Sequence, residues 1–313
     1  MFGKIFYVAM NMLRKEQKME NYVIATCSTA DISLNHMLRI GVEYVKFSYF
    51  LNDVEYKDDL GQTMSHESFY QKLSQGCDSK TTQPNMESYK EFLYQFLNEG
   101  RDVILLNLSS GISGAQASAK IAEKELKSEF PERKIYIVDS LGASSGMGLL
   151  VDKMAELRKE GMGIDDLYAW TEKNKLRVQH WFFSTDLTFY VKGGRVSRVA
   201  GWFGTILKIC PLLTVDKKGK LVPKEKIRGK SSVIRRIVDK MEENAINGLG
   251  YNGKCFISHS DCYEDAQEVK RLVEERFPFL DGRVLINNIG TTIGSHTGPG
   301  TVALFFFGKE RVE

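Results

Sequence analysis

Residues 102–119, DVILLNLSSGISGAQASA, join an apolar run to a serine- and glycine-rich turn and then to a segment of small residues. The continuous apolar run is typical of a strand that is buried on both faces of a parallel sheet. The segment 114–130, GAQASAKIAEKELKSEF, is predicted to form a helix that ends before Pro131. Because a strand followed by a helix is the repeating unit of α/β proteins, this stretch indicates the fold class.

The same alternation continues on both sides of this stretch. Further strands are predicted at 22–26, 42–51 and 134–140, and further helices at 65–76, 86–100 and 146–161. Within the helix over 86–100, Tyr89, Phe92, Leu93 and Phe96 share one apolar face. We therefore expect residues 22–180 to form an N-terminal α/β domain with a parallel sheet.

The second half of the chain follows a different pattern. Residues 211–227, PLLTVDKKGKLVPKEKI, are typical of two strands around a Lys-Lys-Gly turn. Strands are then predicted at 254–259, 283–289 and 301–308, and helices at 231–245 and 264–277. We expect residues 181–313 to form a C-terminal α/β domain with a mixed sheet.

Residues 1–21 form an N-terminal extension that precedes the patterned sequence. Three explanations remain open for it. Translation could begin at Met19, so that residues 1–18 are not part of the protein; the segment could form a short amphipathic helix; or it could contact a partner.

The composition excludes several classes of function. With 43 basic and 40 acidic side chains, the formal charge of +3 is too small for bulk attraction to nucleic acid or an anionic membrane. No apolar run approaches the ~20 residues that a membrane span needs. The five cysteines include no CxxC pair, which indicates a reducing compartment, and we expect a cytoplasmic protein.

The segment 255–262, CFISHSDC, holds four residue types that bind metals. They are Cys255, His259, Asp261 and Cys262. An apolar strand that enters a polar loop explains the same letters, and the spacing matches no zinc pattern. We therefore expect neither a metal nor a cofactor.

Three interpretations of the serine cluster remain open. The cluster comprises Ser109, Ser110, Gly111, Ser113 and Gly114. Its serines can cap the following helix. A nucleophilic Ser113 is the second interpretation, although the GxSxG pattern is incomplete because residue 115 is alanine. The third is capture of an anion, since a helix N-terminus offers unpaired N–H groups and the carboxyl ends of strands in open α/β sheets bind ligands.

Three other polar segments stand out. Thr81 and Thr82 belong to TTQP, 81–84, which is typical of the start of a helix. Arg195 follows paired glycines in KGGR, 192–195. His296 belongs to GSHTGPG, 294–300, which is too rich in glycine and proline to predict regular structure.

Taken in order, these segments resemble the DegV family of bacterial fatty-acid-binding proteins. The motifs that carry the resemblance are CSTADI (27–32), TTQP (81–84), LSSGISGAQASA (108–119), VDSLGASSGMGLL (138–150), KGGRVS (192–197), ISHSD (257–261) and HTGPG (296–300). The similarity extends from about Tyr22 to Gly308. As an ordered set the motifs are highly specific, whereas none of them is specific alone.

The resemblance implies a two-domain DegV-like fold that buries a long-chain fatty acid in a tunnel between its halves. It implies that Thr81 and Ser113 hold the carboxylate, and that Arg195 and His296 support phosphoryl transfer. The supporting loop residues would be Thr82, Ser109, Ser110, Gly111 and Gly114. The family's first strand usually ends in Asp-Ser-Thr, so Cys27 replaces an acid and removes a charge near the expected site.

Family members act as the lipid-binding subunit of a fatty acid kinase. The resemblance therefore implies a separate ATP-binding kinase subunit that converts the fatty acid to an acyl-phosphate. This chain has no GxxxxGK[ST] loop and no kinase signature, so we expect no phosphorylation by this chain alone. Two interpretations are open for a set of basic residues: a docking surface for an acidic partner or, more commonly, an ordinary solvated face. The residues are Lys192, Arg198, Arg228, Arg235 and Arg236. The alternative function is an esterase with Ser113 as nucleophile and His296 as base.

Overall fold

The computed structural model describes residues 22–196, 209–280 and 282–312. Its strands are β1 (Tyr22–Cys27), β2 (Val42–Val45), β3 (Ser48–Leu51), β4 (Val54–Lys57), β5 (Ser79–Thr82), β6 (Asp102–Asn107), β7 (Ile135–Asp139), β8 (Val178–Ser184), β9 (Ile209–Val215), β10 (Leu221–Arg228), β11 (Cys255–His259), β12 (Val284–Asn288) and β13 (Thr301–Phe307). The N-terminal extension and Arg198 lie outside the described residues.

The α-helices of the described residues are numbered in chain order. They are α1 (Leu34–Ile40), α2 (His66–Ser74), α3 (Met86–Asn98), α4 (Ala115–Glu129), α5 (Ser144–Lys159), α6 (Ile164–Asn174), α7 (Thr188–Lys192), α8 (Lys230–Asn244), α9 (Tyr263–Arg276) and α10 (Thr291–Thr297). None of the helices in these parts of the chain has the length and apolar content that a bilayer crossing would need.

The N-terminal domain is built on a parallel four-stranded sheet in the order β2-β1-β6-β7. Strands β1 and β6 lie in its middle and are buried almost throughout, as their continuous apolar sequences predict. The opening stretch of the sequence forms β6, the serine turn and α4. The predicted parallel-sheet α/β fold is confirmed.

The C-terminal domain contains a six-stranded mixed sheet in the order β10-β9-β8-β13-β11-β12. Only the β11–β12 pair of this sheet is parallel. One face, with Phe182, Val215 and Phe305, belongs to the same core as the N-terminal sheet. The other face, with Trp181 and Phe183, packs under α8 and α9. The predicted boundary at residue 180 falls inside β8.

Helix α5 connects the two sheets. It packs against β1 of the N-terminal sheet and against β8, β11 and β13 of the C-terminal sheet. Because both sides are covered, most of its residues are buried. Gly146 fits there because a Cβ atom would lie 2.3 Å from the His180 ring and 2.6 Å from the Phe305 ring. The two sheets therefore approach each other closely through this helix.

A third sheet, in the order β4-β3-β5, corrects the prediction for Thr81. Thr81 pairs with Tyr49 in an antiparallel ladder, so both threonines of TTQP belong to β5 and not to a helix start. The following helix instead begins after Asn85, whose side chain accepts a hydrogen bond from the Ser88 N–H at 2.8 Å. The prediction was wrong because β5 forms only by pairing with a strand some thirty residues earlier in the chain.

The prediction of irregular structure around His296 was also wrong. His296 lies in the last turn of α10, and Gly298, with φ +65°, ends the helix. Gly294 lies inside the helix, whereas Gly298 and Gly300 follow it, where a left-handed residue is commonly needed. The chain therefore presents His296 from a helix that directly follows β12.

Candidate functional site

A cavity of about 290 Å³ lies between the two domains. Most of its wall is apolar, and residues from both halves contribute, among them Phe47, Leu108, Ile112, Phe182, Leu221 and Phe305. Its polar residues include Thr81, Thr82, Ser113, Arg195 and His296, which come from four separate segments of the sequence. An apolar cavity with a few converging polar groups is the usual form of a small-molecule site.

Thr81 and His296 form a direct contact across the domain junction. Thr81 Oγ1 on β5 lies 2.7 Å from His296 Nε2 on α10. Burial, and then the charge of Arg195, lower the pKa of His296 to about 4, so the ring is neutral at neutral pH. Its Nδ1 atom is buried and has no partner among the described residues. A Cβ atom at Gly193 would lie 2.3 Å from this nitrogen, so only glycine allows the ring to sit there.

Ser113 is positioned by Gln83, which belongs to the same TTQP segment as Thr81. Its hydroxyl donates to Gln83 Oε1 at 3.2 Å and accepts from the Ala115 N–H at 3.2 Å. Gln83 also donates to the Ser118 hydroxyl at 3.2 Å, which ties the segment to α4. Both residues predicted to bind the carboxylate, Thr81 and Ser113, line the cavity.

Arg195 is the fourth polar residue of the site, with Thr81, Ser113 and His296. Its Nε donates to the Ile112 carbonyl at 3.2 Å, and its Nη1 donates to the Gly193 carbonyl at 2.5 Å. Burial lowers its pKa. The guanidinium pairs with no carboxylate among the described residues, so a positive charge lies next to the neutral His296 ring. We call Thr81, Ser113, Arg195 and His296 the polar cluster.

Four residues of the predicted supporting loop, Ser109, Ser110, Gly111 and Gly114, do not line the cavity. Ser109 is buried and donates to the Gly219 carbonyl at 2.9 Å, and a Cβ atom at Gly111 would lie 2.5 Å from the Lys218 carbonyl. Ser110 is exposed, and its N–H donates to the Asp139 carboxylate. Ser109 and Gly111 therefore hold the turn between β9 and β10 against the N-terminal domain.

Gly114 approaches the site from behind Gln83. A Cβ atom at Gly114 would lie 3.0 Å from Gln83 Oε1. The residue thus allows the close packing of Gln83 that positions the Ser113 hydroxyl, whereas Thr82 itself lines the cavity.

The geometry required of an esterase is not present. Ser113 bonds Gln83, whereas His296 bonds Thr81, so the proposed nucleophile has no hydrogen bond to the proposed base. A serine nucleophile needs an adjacent base to remove its proton.

Cys27 lies apart from the cavity. Its thiol donates to Asn107 Oδ1 at 2.8 Å, and the Tyr89 hydroxyl donates to the same oxygen at 2.9 Å. Complete burial raises the pKa of the Cys27 thiol to about 12. The expectation that this substitution removes a charge beside the site is wrong, because position 27 contacts the interior of the N-terminal domain and not the cavity wall.

The remaining sequence candidates also lie elsewhere. Cys255 is in the core beneath α8 and α9, and the Cys262 thiol donates to the Thr301 carbonyl. Over the described ranges, no group of three or more His, Cys, Asp or Glu side chains is arranged to hold a metal ion. Arg235 and Arg236 lie on α8, across the sheet from the cavity, and Arg236 pairs with Glu225 at 2.8 Å. These two arginines therefore do not border the polar cluster.

Sequence reasoning missed several cavity residues. His180 lines the cavity from β8, donates through Nδ1 to the Val178 carbonyl at 3.0 Å, and has a pKa well below its ordinary value because it is buried. Thr292 and Ser144 line it as well. The only signal for His180 was a histidine inside an apolar strand, which more often marks a core residue.

Comparison with known proteins identifies the family. Residues 21–309 match the family described as an uncharacterised protein of the DegV family. The chain belongs to the DegV family. A DegV domain-containing protein of Clostridium perfringens is 34% identical over 293 residues, which cover 94% of this chain and 99% of the relative.

Solved DegV structures share the fold. The structure of DegV from Bacillus subtilis, described as a fatty acid binding protein, has a TM-score of 0.77 and 28% identity, and the match covers 92% of this chain and 99% of the other. The Streptococcus pneumoniae fatty acid kinase (Fak) B3 protein, loaded with linoleic acid, has a TM-score of 0.78 and 19% identity, with coverage of 92% and 99%. The DegV resemblance and the two-domain fold expected from the sequence are confirmed.

Proposed function

We propose that this DegV chain binds a long-chain fatty acid, with the acyl tail in the interdomain cavity and the carboxylate at Thr81 and Ser113. The observation that carries the proposal is the polar cluster, which lines a cavity whose wall is otherwise largely apolar. A fatty acid has the matching shape, with one acidic group on a long apolar chain. The similar Bacillus subtilis DegV protein is described as fatty acid binding.

The tail supplies most of the affinity. Burial of about 14 methylenes contributes a gross ~11 kcal/mol at ~0.8 kcal/mol each, before the entropy cost of binding. Hydrogen bonds from two hydroxyls to a carboxylate contribute only about 1 to 3 kcal/mol each. Thr81 and Ser113 therefore mainly fix the orientation of the acid.

The positive charge of the polar cluster comes from Arg195 and not from His296. Because the pKa of His296 is about 4, its ring is a neutral hydrogen-bonding group at physiological pH. It orients the Thr81 hydroxyl, which it contacts at 2.7 Å. Arg195 would balance the negative charge of the bound carboxylate.

We further propose that the bound acid is presented to a separate ATP-binding kinase subunit. The carboxylate oxygen would attack the γ-phosphorus of ATP, with release of ADP and formation of an acyl-phosphate. Arg195 would stabilise the charge that develops on the transferred phosphoryl group, and His296 would donate a hydrogen bond to it. The similar Streptococcus pneumoniae protein is described as a fatty acid kinase protein, which supports a search for such a partner. All five cysteines are free, in keeping with a cytoplasmic reaction.

Mass spectrometry of the purified chain tests lipid binding. The full-length protein would be produced in bacteria, extracted with organic solvent, and the extract analysed for fatty acids. We expect a long-chain fatty acid in near-stoichiometric amount from the wild type and from Ser110→Ala, which is a matched serine outside the cavity. The proposal would be contradicted if the purified protein yielded no fatty acid and still yielded none after incubation with oleic acid. Hydrolysis of a chromogenic ester, abolished in Ser113→Ala, would favour the esterase.

Reconstitution tests presentation. The loaded chain would be mixed with ATP and the ATP-binding subunit of a bacterial fatty acid kinase, and acyl-phosphate would be trapped with hydroxylamine. We expect product only when both proteins and ATP are present. Lipid binding without any acyl-phosphate would leave the binding proposal intact and contradict presentation to this kinase.

A further inference from the structure

Two buried carboxyl groups lie behind the cavity wall and have no role in the proposed function. Asp31 is 3% exposed and Asp58 is 1% exposed, and neither lines the cavity. Neither forms an ion pair with a described residue, and Asp58 Oδ1 has no hydrogen-bond partner among them. Burial of a carboxyl group is costly, so the structure must use these groups for specific contacts.

Both acids hold the start of α10. Asp31 Oδ1 accepts from the Gly290 N–H at 3.0 Å, and Asp58 Oδ2 accepts from the Thr292 N–H at 3.3 Å and from the Thr292 hydroxyl at 2.6 Å. The Tyr70 hydroxyl donates to the Ile289 carbonyl at 2.8 Å. Side chains of the N-terminal domain thus fix the junction 289–292 of the C-terminal domain.

The position of α10 determines the position of His296. The helix has seven residues, and its last turn carries His296 to Thr81. A helix this short has little stability of its own, so its placement depends on tertiary contacts. A shift at the Asp58–Thr292 contact would therefore move the His296 ring away from Thr81.

The same acids also turn two hydroxyl groups away from the cavity. Ser144 and Thr292 both line it, and their hydroxyls donate to Asp31 Oδ2 at 2.5 Å and to Asp58 Oδ2 at 2.6 Å. An unpaired hydroxyl against an acyl chain would be costly. With these bonds made, the two side chains present mainly carbon atoms to the cavity.

The environment of Asp31 agrees with this arrangement. Burial, reinforced by the nearby charge of Asp58, raises the pKa of Asp31 well above its ordinary value. The Ser144 hydroxyl donates to Asp31 Oδ2 and lies 3.1 Å from the Ser258 hydroxyl, from which it can accept.

We propose that Asp31 and Asp58 are positioning residues of the lipid site. They fix α10 so that His296 contacts Thr81, and they hold the Ser144 and Thr292 hydroxyls away from the acyl tail. The second part of this inference rests on the proposed function, whereas the placement of His296 does not.

Variants of Asp58 test the inference in the full-length protein. Asp58→Asn keeps an oxygen that accepts from Thr292, whereas Asp58→Ala removes it. Because a buried hydroxyl left without a partner costs ~1–3 kcal/mol, we expect Asp58→Ala to bind a fluorescent fatty acid roughly 5- to 100-fold more weakly and Asp58→Asn to retain most of the affinity. In a Thr292→Val background, Asp58→Ala should have a much smaller effect, since the hydroxyl is gone.

NMR titration of the His296 ring provides the readout that loss of stability alone would not change. In the wild type the pKa of His296 is about 4, and in Asp58→Ala we expect it to rise towards 6.5 as the ring leaves its buried position. Val273→Ala, on the buried face of α9, is the control for general destabilisation and should leave the titration unchanged.

The outcomes separate the two proposals. A wild type that binds no fatty acid would contradict the proposed function, while the His296 titration would still test the placement of α10. A wild type that binds, with an Asp58→Ala variant of equal affinity and an unshifted His296, would overturn the positioning role of Asp58. Asp31→Asn and Asp31→Ala, compared by fatty acid affinity and by the His296 titration, test the positioning role of Asp31 in the same way.

Discussion

Thr81 of the N-terminal domain and His296 of the C-terminal domain meet at 2.7 Å, and this contact lies in the wall of the interdomain cavity. The two residues are separated by more than two hundred positions in the sequence. Their contact links the lipid site to the relative placement of the two domains. Changes on either side of the junction should therefore alter how the acid is held.

Substitution of Thr81 should affect presentation more than retention. Thr81→Val keeps the shape of the side chain but removes the hydroxyl, and one hydrogen bond to a charged acceptor is worth only about 1.5–3 kcal/mol against a gross ~11 kcal/mol from the tail. We expect the purified variant to retain lipid and to form acyl-phosphate at least about tenfold more slowly. The measurements are lipid content by mass spectrometry and hydroxylamine trapping. Loss of most of the lipid, with a normal rate of acyl-phosphate formation for the fraction that stays bound, would reverse these roles.

Arg195→Ala should separate binding from chemistry. The guanidinium supplies the positive charge of the polar cluster, so its loss would remove stabilisation of the phosphoryl group in the transition state. We expect the variant to keep its lipid and to lose roughly 10²–10³-fold in the rate of acyl-phosphate formation. Lys134→Ala, whose ammonium pairs with Asp165 and which is outside the predicted docking surface, serves as a control for charge alone. An unchanged rate in Arg195→Ala would exclude Arg195 from the mechanism.

His296 should make the fold sensitive to acid. Its pKa is lowered from 6.5 to about 4 in the folded chain, so between these values the unfolded chain binds a proton that the folded chain does not. The stability contributed by the neutral ring is present above pH 6.5 and is lost as the pH falls towards 4. The contribution is at most ~3 kcal/mol. Urea unfolding from pH 4 to 7 would measure it.

The matched variant for this titration is His296→Gln, which can still bond Thr81 but does not titrate. Its free energy of unfolding should decrease less than that of the wild type over the same pH range. The difference between the two proteins isolates His296 from His66, His180 and His259, whose pKa values are also lowered by burial. Parallel pH curves for both proteins would show that His296 does not contribute.

Gly111→Ala should weaken the contact between the β9–β10 turn and the N-terminal domain. The new Cβ atom would lie 2.5 Å from the Lys218 carbonyl and 2.6 Å from Gly219. Since Val215 and Leu221 flank this turn and line the cavity, we expect a loss of about 1–3 kcal/mol in stability and faster release of lipid. Gly163→Ala, where a Cβ atom meets nothing within 4 Å, is the control. Equal thermal midpoints for the two variants would argue against the clash.

Some features could be predicted because they depend on neighbouring residues. The strand β6, the serine turn and α4 follow from an apolar run, small turn residues and a proline that ends the helix. Strand β5 could not be predicted in this way, because the two threonines at its end join a strand only by pairing with β3. Helix α10 was missed because it is anchored by Asp31 and Asp58, which lie more than two hundred residues away.

The sequence by itself determined the α/β class, the parallel N-terminal sheet and the family, because alternating apolar segments and ordered motifs are properties of the chain read in one direction. Tertiary structure alone decided which polar residues of those motifs line the cavity. Ser109 and Ser113 belong to one loop, yet Ser109 bonds the β9–β10 turn and Ser113 lines the cavity. The side of a loop that meets another domain is fixed by packing between distant segments, and no local pattern records it.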